Sequence, residues 1–343
     1  MNPKLKNVIR FTVFFGIGIF FIWIFLRNLT ADQKEEIINS MGTANYWWIG
    51  LAIPLGILSH FVRAIRWKML IESMGYKPGN TNMFFAVMTG YLANLALPRL
   101  GEVSRCTVLT KYENVPFTKS FGTVITERAI DLIIFVVLFF INLALQANRL
   151  SGYINDNIYK PLQAKLHLNY NLSGSLLIAA LFLMVLFGVL FLIFRKRILV
   201  SKLYLKVKEM VFGFAEGIKS LINVKRLWLF AFYSIAIYAL YLLMAYIVFF
   251  SIPESSNVGL GAGFAVLVFG SVGFMVVQGG IGIYPAIVAE TLVLYGVASA
   301  KGYALGWLIW TSQNLTIALV GIVSFILLPI LNNRKNVEAG INP

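Results

Sequence analysis

Cysteine occurs once in this 343-residue chain, at Cys106, and histidine only twice, at His60 and His167. A single thiol excludes an intrachain disulfide and any multi-cysteine metal centre, and leaves Cys106 as a small buried hydrophobe. Several signatures of catalysis are missing too: no His-Glu-x-x-His, no Asp-x-Asp pair for a metal-bound sugar nucleotide, no Gly-x-Ser-x-Gly. Neither a cofactor nor a catalytic residue is therefore expected. Charge is scarce, at 13% of residues against roughly 25% in an average soluble domain. Long polar stretches are scarce as well: the longest segment without a span-length apolar run, 195–226, is too short to build a soluble catalytic core. What fills the chain is hydrocarbon, with 59% hydrophobic residues and a mean hydropathy of +0.79. The net charge of +15 is no nucleic-acid signal, because the cations cluster in short loops between apolar runs, where they encode topology and meet anionic headgroups.

The pattern predicts an all-α polytopic membrane protein forming one transmembrane domain, with about six full spans and two opposed helical hairpins. Full spans are expected at 8–26, 46–67, 117–146, 174–194, 227–250 and 303–331. The first follows Lys4, Lys6 and Arg10 and ends on Arg27, the pattern of a retained anchor rather than a cleaved signal. The segment 195–226 holds nine lysines and arginines, the strongest cytoplasmic signal in the chain. Flanking charge forces 82–112 and 258–300 into even numbers of crossings, so each is a hairpin, entered from opposite faces. The first has arms too short for the roughly 30 Å hydrocarbon core and reads as re-entrant. For the second, re-entry and two tilted spans both stand. This topology puts Arg27, Lys34, Arg149, Lys160, Lys165 and Lys301 outside, Arg99, Arg105 and Arg128 at membrane depth, and the rest of the 29 cations inside. Both termini are then cytoplasmic, in what is expected to be a bacterial inner membrane. Two broken hairpins in oppositely oriented halves are the plan of inverted-repeat transporters, although no residue-level repeat is visible.

Ionisable residues inside apolar runs mark functional sites by default, since burying a charge in lipid is costly. The first run breaks at Leu97-Pro98-Arg99-Leu100-Gly101-Glu102 and continues to Arg105. Pro98 and Gly101 free backbone groups that need protein or water, which suits a cavity wall. Guanidinium forks suit phosphate oxygens. The plainer reading pairs Arg99, Glu102 and Arg105 with one another at the interface. On 117–146, Glu127 and Asp131 share a face and Arg128 lies within helical reach of Asp131. Glu127 is about 12 Å deeper than Lys119 at helical rise. Either these three form a structural cluster or a carboxylate faces the cavity. Gly279, Gly280 and Gly282 form the second hairpin's turn, close to a ligand or merely to another helix, with Glu290 deep in the following arm. His60, Arg63 and Arg66 end the second span, as headgroup contacts or as interface anchors.

Four segments, taken together, resemble the lysylphosphatidylglycerol synthase transmembrane family, a flippase-like membrane domain. They are Arg63-Ala64-Ile65-Arg66-Trp67, Leu97 to Glu102 with Arg105, Thr126-Glu127-Arg128 with Asp131, and Gly279-Gly280-Ile281-Gly282. The family commonly carries a glutamate soon after the glycines, whereas here Tyr284-Pro285 intervenes and Glu290 comes later. The resemblance implies movement of an aminoacylated phospholipid between leaflets, with a separate soluble domain attaching the amino acid. No such soluble domain is recognised in these residues, so aminoacyl transfer is not expected of them.

The leading expectation is therefore a lipid translocator rather than an enzyme. Its partners would be membrane lipids, specifically an anionic or aminoacylated phospholipid or a lipid-linked phosphate, and no nucleic acid. Expected substrate contacts are Arg63, Arg66, Arg99, Glu102, Arg105, Glu127, Arg128, Asp131, Gly279, Gly280, Gly282 and Glu290, with no metal ligand. Two rivals stand: an intramembrane transferase using Glu127 or Asp131 as base, and a noncatalytic partner of a separate synthase. A homo-oligomer is compatible with either.

Overall fold

The computed structural model describes residues 16, 18–27, 29–97, 100–154, 224 and 226–338. Pro98, Arg99, His167, the expected span 174–194 and nearly all of the basic segment 195–226 lie outside these residues, as does the start of the first expected span. No strand occurs among the described residues.

The helices are α1 (Gly18–Arg27), α2 (Ala31–Gly42), α3 (Tyr46–Glu72), α4 (Asn80–Ala96), α5 (Leu100–Glu113), α6 (Phe117–Ile154), α7 (Leu227–Ile247), α8 (Pro253–Ser256), α9 (Leu260–Val276), α10 (Ile283–Val293) and α11 (Ser299–Glu338). Local chemistry sets several of their ends. Thr30 and Gln33 form a reciprocal capping box that starts α2. The Asn45 side chain accepts from the Trp47 amide at the head of α3. Asn114, at a φ of 54°, closes α5 in the left-handed conformation that asparagine tolerates, and Pro116 follows.

Four described stretches are long and apolar enough to cross a bilayer: Tyr46–Glu72, Phe117–Ala147, Leu227–Ser251 and Ser299–Asn333. Their outward faces carry bare hydrocarbon, including Val137, Phe140, Ile322 and Phe325, an arrangement suited to lipid and a liability in water. The helices overrun the expected bounds: α3 continues to Glu72, α6 to Ile154 and α11 to Glu338. At about 57 Å, the 38-residue α6 is nearly twice as long as the roughly 30 Å hydrocarbon core, so it tilts or projects beyond it.

The first apolar run ends where proline and glycine stand. Leu97 is extended (φ −144°, ψ 136°) after α4, and α5 begins at Leu100. The two arms lie against each other, with Gly101 directly over the Gly90 carbonyl, where any side chain would collide with backbone. The Asn94 side chain accepts from the Gly101 amide at 2.7 Å. Helices of 17 and 14 residues reach only about 25 and 21 Å.

Two apolar clusters form the core. One gathers Ala52 of α3, Met244 of α7, α9, α10 and the first half of α11. The other gathers Ala64 to Ile71 of α3, α4, α5, Val124 and Ile130 of α6, Phe230 of α7 and Leu328 of α11. Along α3, α7 and α11 the stretch between the two clusters is where polar side chains turn inward.

Candidate functional site

In that gap lies a cavity of about 440 Å³. Each long helix contributes residues one turn apart, and so on a single face: Gly56, His60 and Arg63 from α3; Arg128, Asp131, Leu132 and Phe135 from α6; Tyr238, Tyr241 and Met244 from α7; Gln313, Thr316 and Ile317 from α11. Tyr91, Ala245, Leu267, Ser271, Phe274, Met275 and Tyr284 complete the wall.

Behind one wall sits a buried ionic cluster. Glu127, with a fully buried side chain, receives Arg63 Nη1 at 3.1 Å and Arg66 Nη2 at 3.3 Å on Oε1, and Arg105 Nη1 at 2.8 Å on Oε2. Asp131 Oδ1 accepts from Arg66 Nη2 at 2.6 Å, and its Oδ2 lies 3.0 Å from Arg63 Nη1, an ion pair without hydrogen-bond geometry. Arg66 also donates to Ser234 Oγ at 3.2 Å. The guanidinium faces are covered by rings: Arg105 over Trp67 at 4.6 Å, Arg66 over Phe230 at 5.6 Å, Arg63 over Tyr241 at 6.0 Å. Trp67 is itself fixed by its indole N–H to Thr123 at 2.9 Å. Arginine suits this place because its planar fork can serve two carboxylates at once.

Arg128 differs. Its side chain is 44% exposed and makes a 3.3 Å pair with Glu102 across from α5. His60 and Arg63 are buried, yet His60 Nδ1 and Arg63 Nε have no hydrogen-bond partner among the described residues. The Tyr238 hydroxyl donates to the Asp131 carbonyl at 3.0 Å, which anchors α7 to α6 beside the cavity.

Of the residues singled out from sequence, Arg63, Arg66, Arg105, Glu127 and Asp131 come together in one cluster, and Glu102 and Arg128 adjoin it. Arg99 lies outside the described residues. Three pairings differ from expectation. Arg128 meets Glu102 rather than Asp131, three residues along its own helix; Arg105 meets Glu127 rather than Glu102; and Arg63 and Arg66 are buried among carboxylates rather than anchoring an interface. The physical reason is the same each time: a carboxylate taken out of water needs several donors, and only neighbouring helices supply enough.

The second hairpin's glycines serve a turn. Gly279, Gly280 and Gly282 all have φ near +70°, which side-chain-bearing residues rarely adopt. Gly282 also meets the Gly18 carbonyl of α1, with a Cβ there falling 2.5 Å from it. Trp310 ties the turn down, its indole N–H donating to the Gly279 carbonyl at 2.6 Å. The turn reaches the cavity through its flanks, Phe274 and Tyr284. Glu290 is a correction: it is exposed on α10 rather than buried, because Tyr284, Val288, Ala289 and Leu292 form the face that packs into the core.

The wall residues that went unrecognised in the sequence are Tyr91, Tyr238, Tyr241, Tyr284, Gln313 and Thr316. The one available signal was Tyr238 and Tyr241 at helical spacing, and in a chain with 15 tyrosines that spacing discriminates little.

Fold and site together define a polytopic α-helical membrane protein with an ion-paired polar cavity enclosed by its long helices. The chain belongs to the family described as the lysylphosphatidylglycerol synthase TM region, whose model matches residues 7–331. Among curated proteins it is similar to the UPF0104 membrane protein MJ1595 of Methanocaldococcus jannaschii, 31% identical over 136 residues, 39% of each chain. It is also similar to the glycosyltransferase AglD of Haloferax volcanii, 26% identical over 134 residues, 39% of this chain and 21% of that protein. The matches therefore span well under half the length of these relatives. No solved structure matches the chain.

Proposed function

We propose that the protein translocates a lipid with a charged headgroup between leaflets, the head passing through the polar cavity while the tails stay in the bilayer. The observation that supports this reading is the cavity itself: about 440 Å³ bounded by Arg63, Arg128, Asp131 and four tyrosines, between two apolar clusters and about halfway along helices long enough to cross a membrane. Arg128 is the half-exposed cation there and meets the phosphate. The basic loops set the orientation, with both termini cytoplasmic in a bacterial-type plasma membrane.

The test is reconstitution in vesicles carrying fluorescently labelled phospholipids, with leaflet exchange read by dithionite quenching. Exchange should exceed that of protein-free vesicles and fall in Arg128→Leu. Equal exchange in the two proteins, or none above background, refutes the reading.

The Haloferax relative, named a glycosyltransferase, motivates a second reading, an intramembrane transferase acting on a lipid-linked substrate. Both oxygens of Glu127 and both of Asp131 lie within ion-pairing distance of arginines, so neither carboxylate is poised as a general base. Product formation by the purified chain would nonetheless establish it. A noncatalytic partner of a separate synthase predicts instead that the chain co-purifies with that enzyme and that synthase activity needs the pair.

A further inference from the structure

Building on the translocator reading, we propose that the cavity seats a lipid whose headgroup is net anionic, with the phosphate against Arg128 and Arg63 and one hydrocarbon chain in an adjoining apolar groove, and that it disfavours net cationic, aminoacylated headgroups. The charge balance points this way. Among the described residues, the cluster and its rim hold four arginines, Arg63, Arg66, Arg105 and Arg128, against three carboxylates, Glu102, Glu127 and Asp131. One positive charge is in excess. The cation that the cavity can reach is Arg128, half exposed with one 3.3 Å contact to Glu102 Oε1 among the described residues, and Arg63 and His60 line the same space.

An uncompensated cation in a low-dielectric site favours a guest that brings one negative charge, and phosphate oxygens match guanidinium donors. A headgroup with surplus positive charge finds the opposite. The single carboxylate among the described lining residues is Asp131; its Oδ1 accepts from Arg66 at 2.6 Å and its Oδ2 lies 3.0 Å from Arg63 Nη1, so its charge is already offset by two guanidinium groups. Glu102, on the α5 side, pairs through Oε1 with Arg128, and its Oε2 is buried.

A second feature favours a lipid over a soluble phosphate. Between α6, α7 and α9 runs a groove of about 530 Å³, walled by residues such as Ile134, Leu138, Ile235, Leu242 and Phe264. Tyr238 and Leu267 belong to both the groove and the polar cavity. A space that changes from charged to hydrocarbon across one shared wall fits an amphiphile's head and tail.

The test uses the purified full chain in detergent micelles, with bound fluorescent phosphatidylglycerol displaced by four competitors: unlabelled phosphatidylglycerol, phosphatidylethanolamine, the lysyl ester of phosphatidylglycerol, and glycerol phosphate. Phosphatidylglycerol should compete at least tenfold better than its lysyl ester, with phosphatidylethanolamine between them and glycerol phosphate weakest. Arg128→Gln should bring the first ratio close to one, and Arg128→Lys should preserve it. Leu242→Trp, which fills the groove, should weaken phosphatidylglycerol without affecting glycerol phosphate. The proposal is overturned by lysyl ester competing equally or better, by no saturable lipid binding, by an unchanged ratio in Arg128→Gln, or by glycerol phosphate matching the lipid. Vesicle exchange separates the two claims. Anion-selective binding without leaflet exchange leaves the seat and removes the translocator, whereas exchange with charge-indifferent binding removes the seat and leaves the translocator.

Discussion

The two sides of the cavity are held together by different physics. On the α3, α5 and α6 side, five buried or nearly buried ionic groups pair with one another across three helices. On the α9, α10 and α11 side, close backbone approach does the work: a Cβ at Gly270 would lie 2.6 Å from the Tyr284 ring, one at Gly306 2.6 Å from Pro285 Cα, and one at Gly302 2.9 Å from Ala289 Cα. In lipid the hydrophobic effect does not drive helices together, so association rests on polar contacts or on tight van der Waals packing. This protein uses the first where it also needs charge at the cavity and the second where it does not. The ionic wall presents charge to the cavity, and the glycine wall presents uncharged side chains such as Ser271, Tyr284, Gln313 and Thr316.

Removing the hub of the ionic wall should have the largest effect. Glu127→Ala leaves three arginines facing one remaining carboxylate and should cost about 3–5 kcal/mol, measured as a lowered unfolding midpoint in detergent. An unchanged midpoint would mean that the cluster does not bind the three helices. On the glycine wall, Gly306→Ala forces α10 and α11 apart and should cost about 1–3 kcal/mol. Gly122→Ala, where nothing lies within 4 Å, should instead be neutral or gain up to about 1 kcal/mol. A similar loss at both positions would count against close packing as the cause.

Smaller effects on stability are expected at the rim. Arg128→Leu breaks a half-exposed pair and should change stability by less than about 1 kcal/mol while lowering lipid exchange, which separates function from folding on the same wall. The smallest change concerns a site away from both walls. Lys301 donates to Glu254 at 2.6 Å, between α11 and α8, and this hydrogen bond holds the Glu254 carboxyl below its usual range. A carboxyl lowered in the folded state contributes stability above its unfolded pKa, and the contribution disappears as pH falls through the folded value. Since Glu254 is about half exposed, the effect should stay under about 1 kcal/mol and weaken with salt. Lys301→Ala should flatten the acid side of the stability profile while leaving the cavity pairs intact.

Much of this molecule could be read from its residues. Apolar run length and flanking cations gave α3, α6, α7 and α11, and Glu127, Arg128 and Asp131 stood out because charge inside such a run is expensive. The partners of those charges could not be read. Spacing along α6 suggested that Arg128 serves Asp131, yet the side chain turns to Glu102, and Arg63 and Arg66 arrive at Asp131 from a helix more than 60 residues earlier. The tyrosines of the cavity wall were hidden for a related reason: aromatic residues occur throughout a lipid-facing surface, and only burial distinguishes those turned inward. Glu290 shows the reverse error, since depth within a helix does not say which face a residue occupies.

The chain's own composition and periodicity determined that it is helical, that it lives in lipid, and which of its charges lie within apolar segments, because hydrocarbon thickness and helical rise leave few other solutions. Tertiary structure decided which charges neutralise one another, which glycines meet backbone and which side chains enclose a cavity. Those outcomes depend on how each helix is rotated and tilted against its neighbours, and that is set by contacts between segments far apart in sequence.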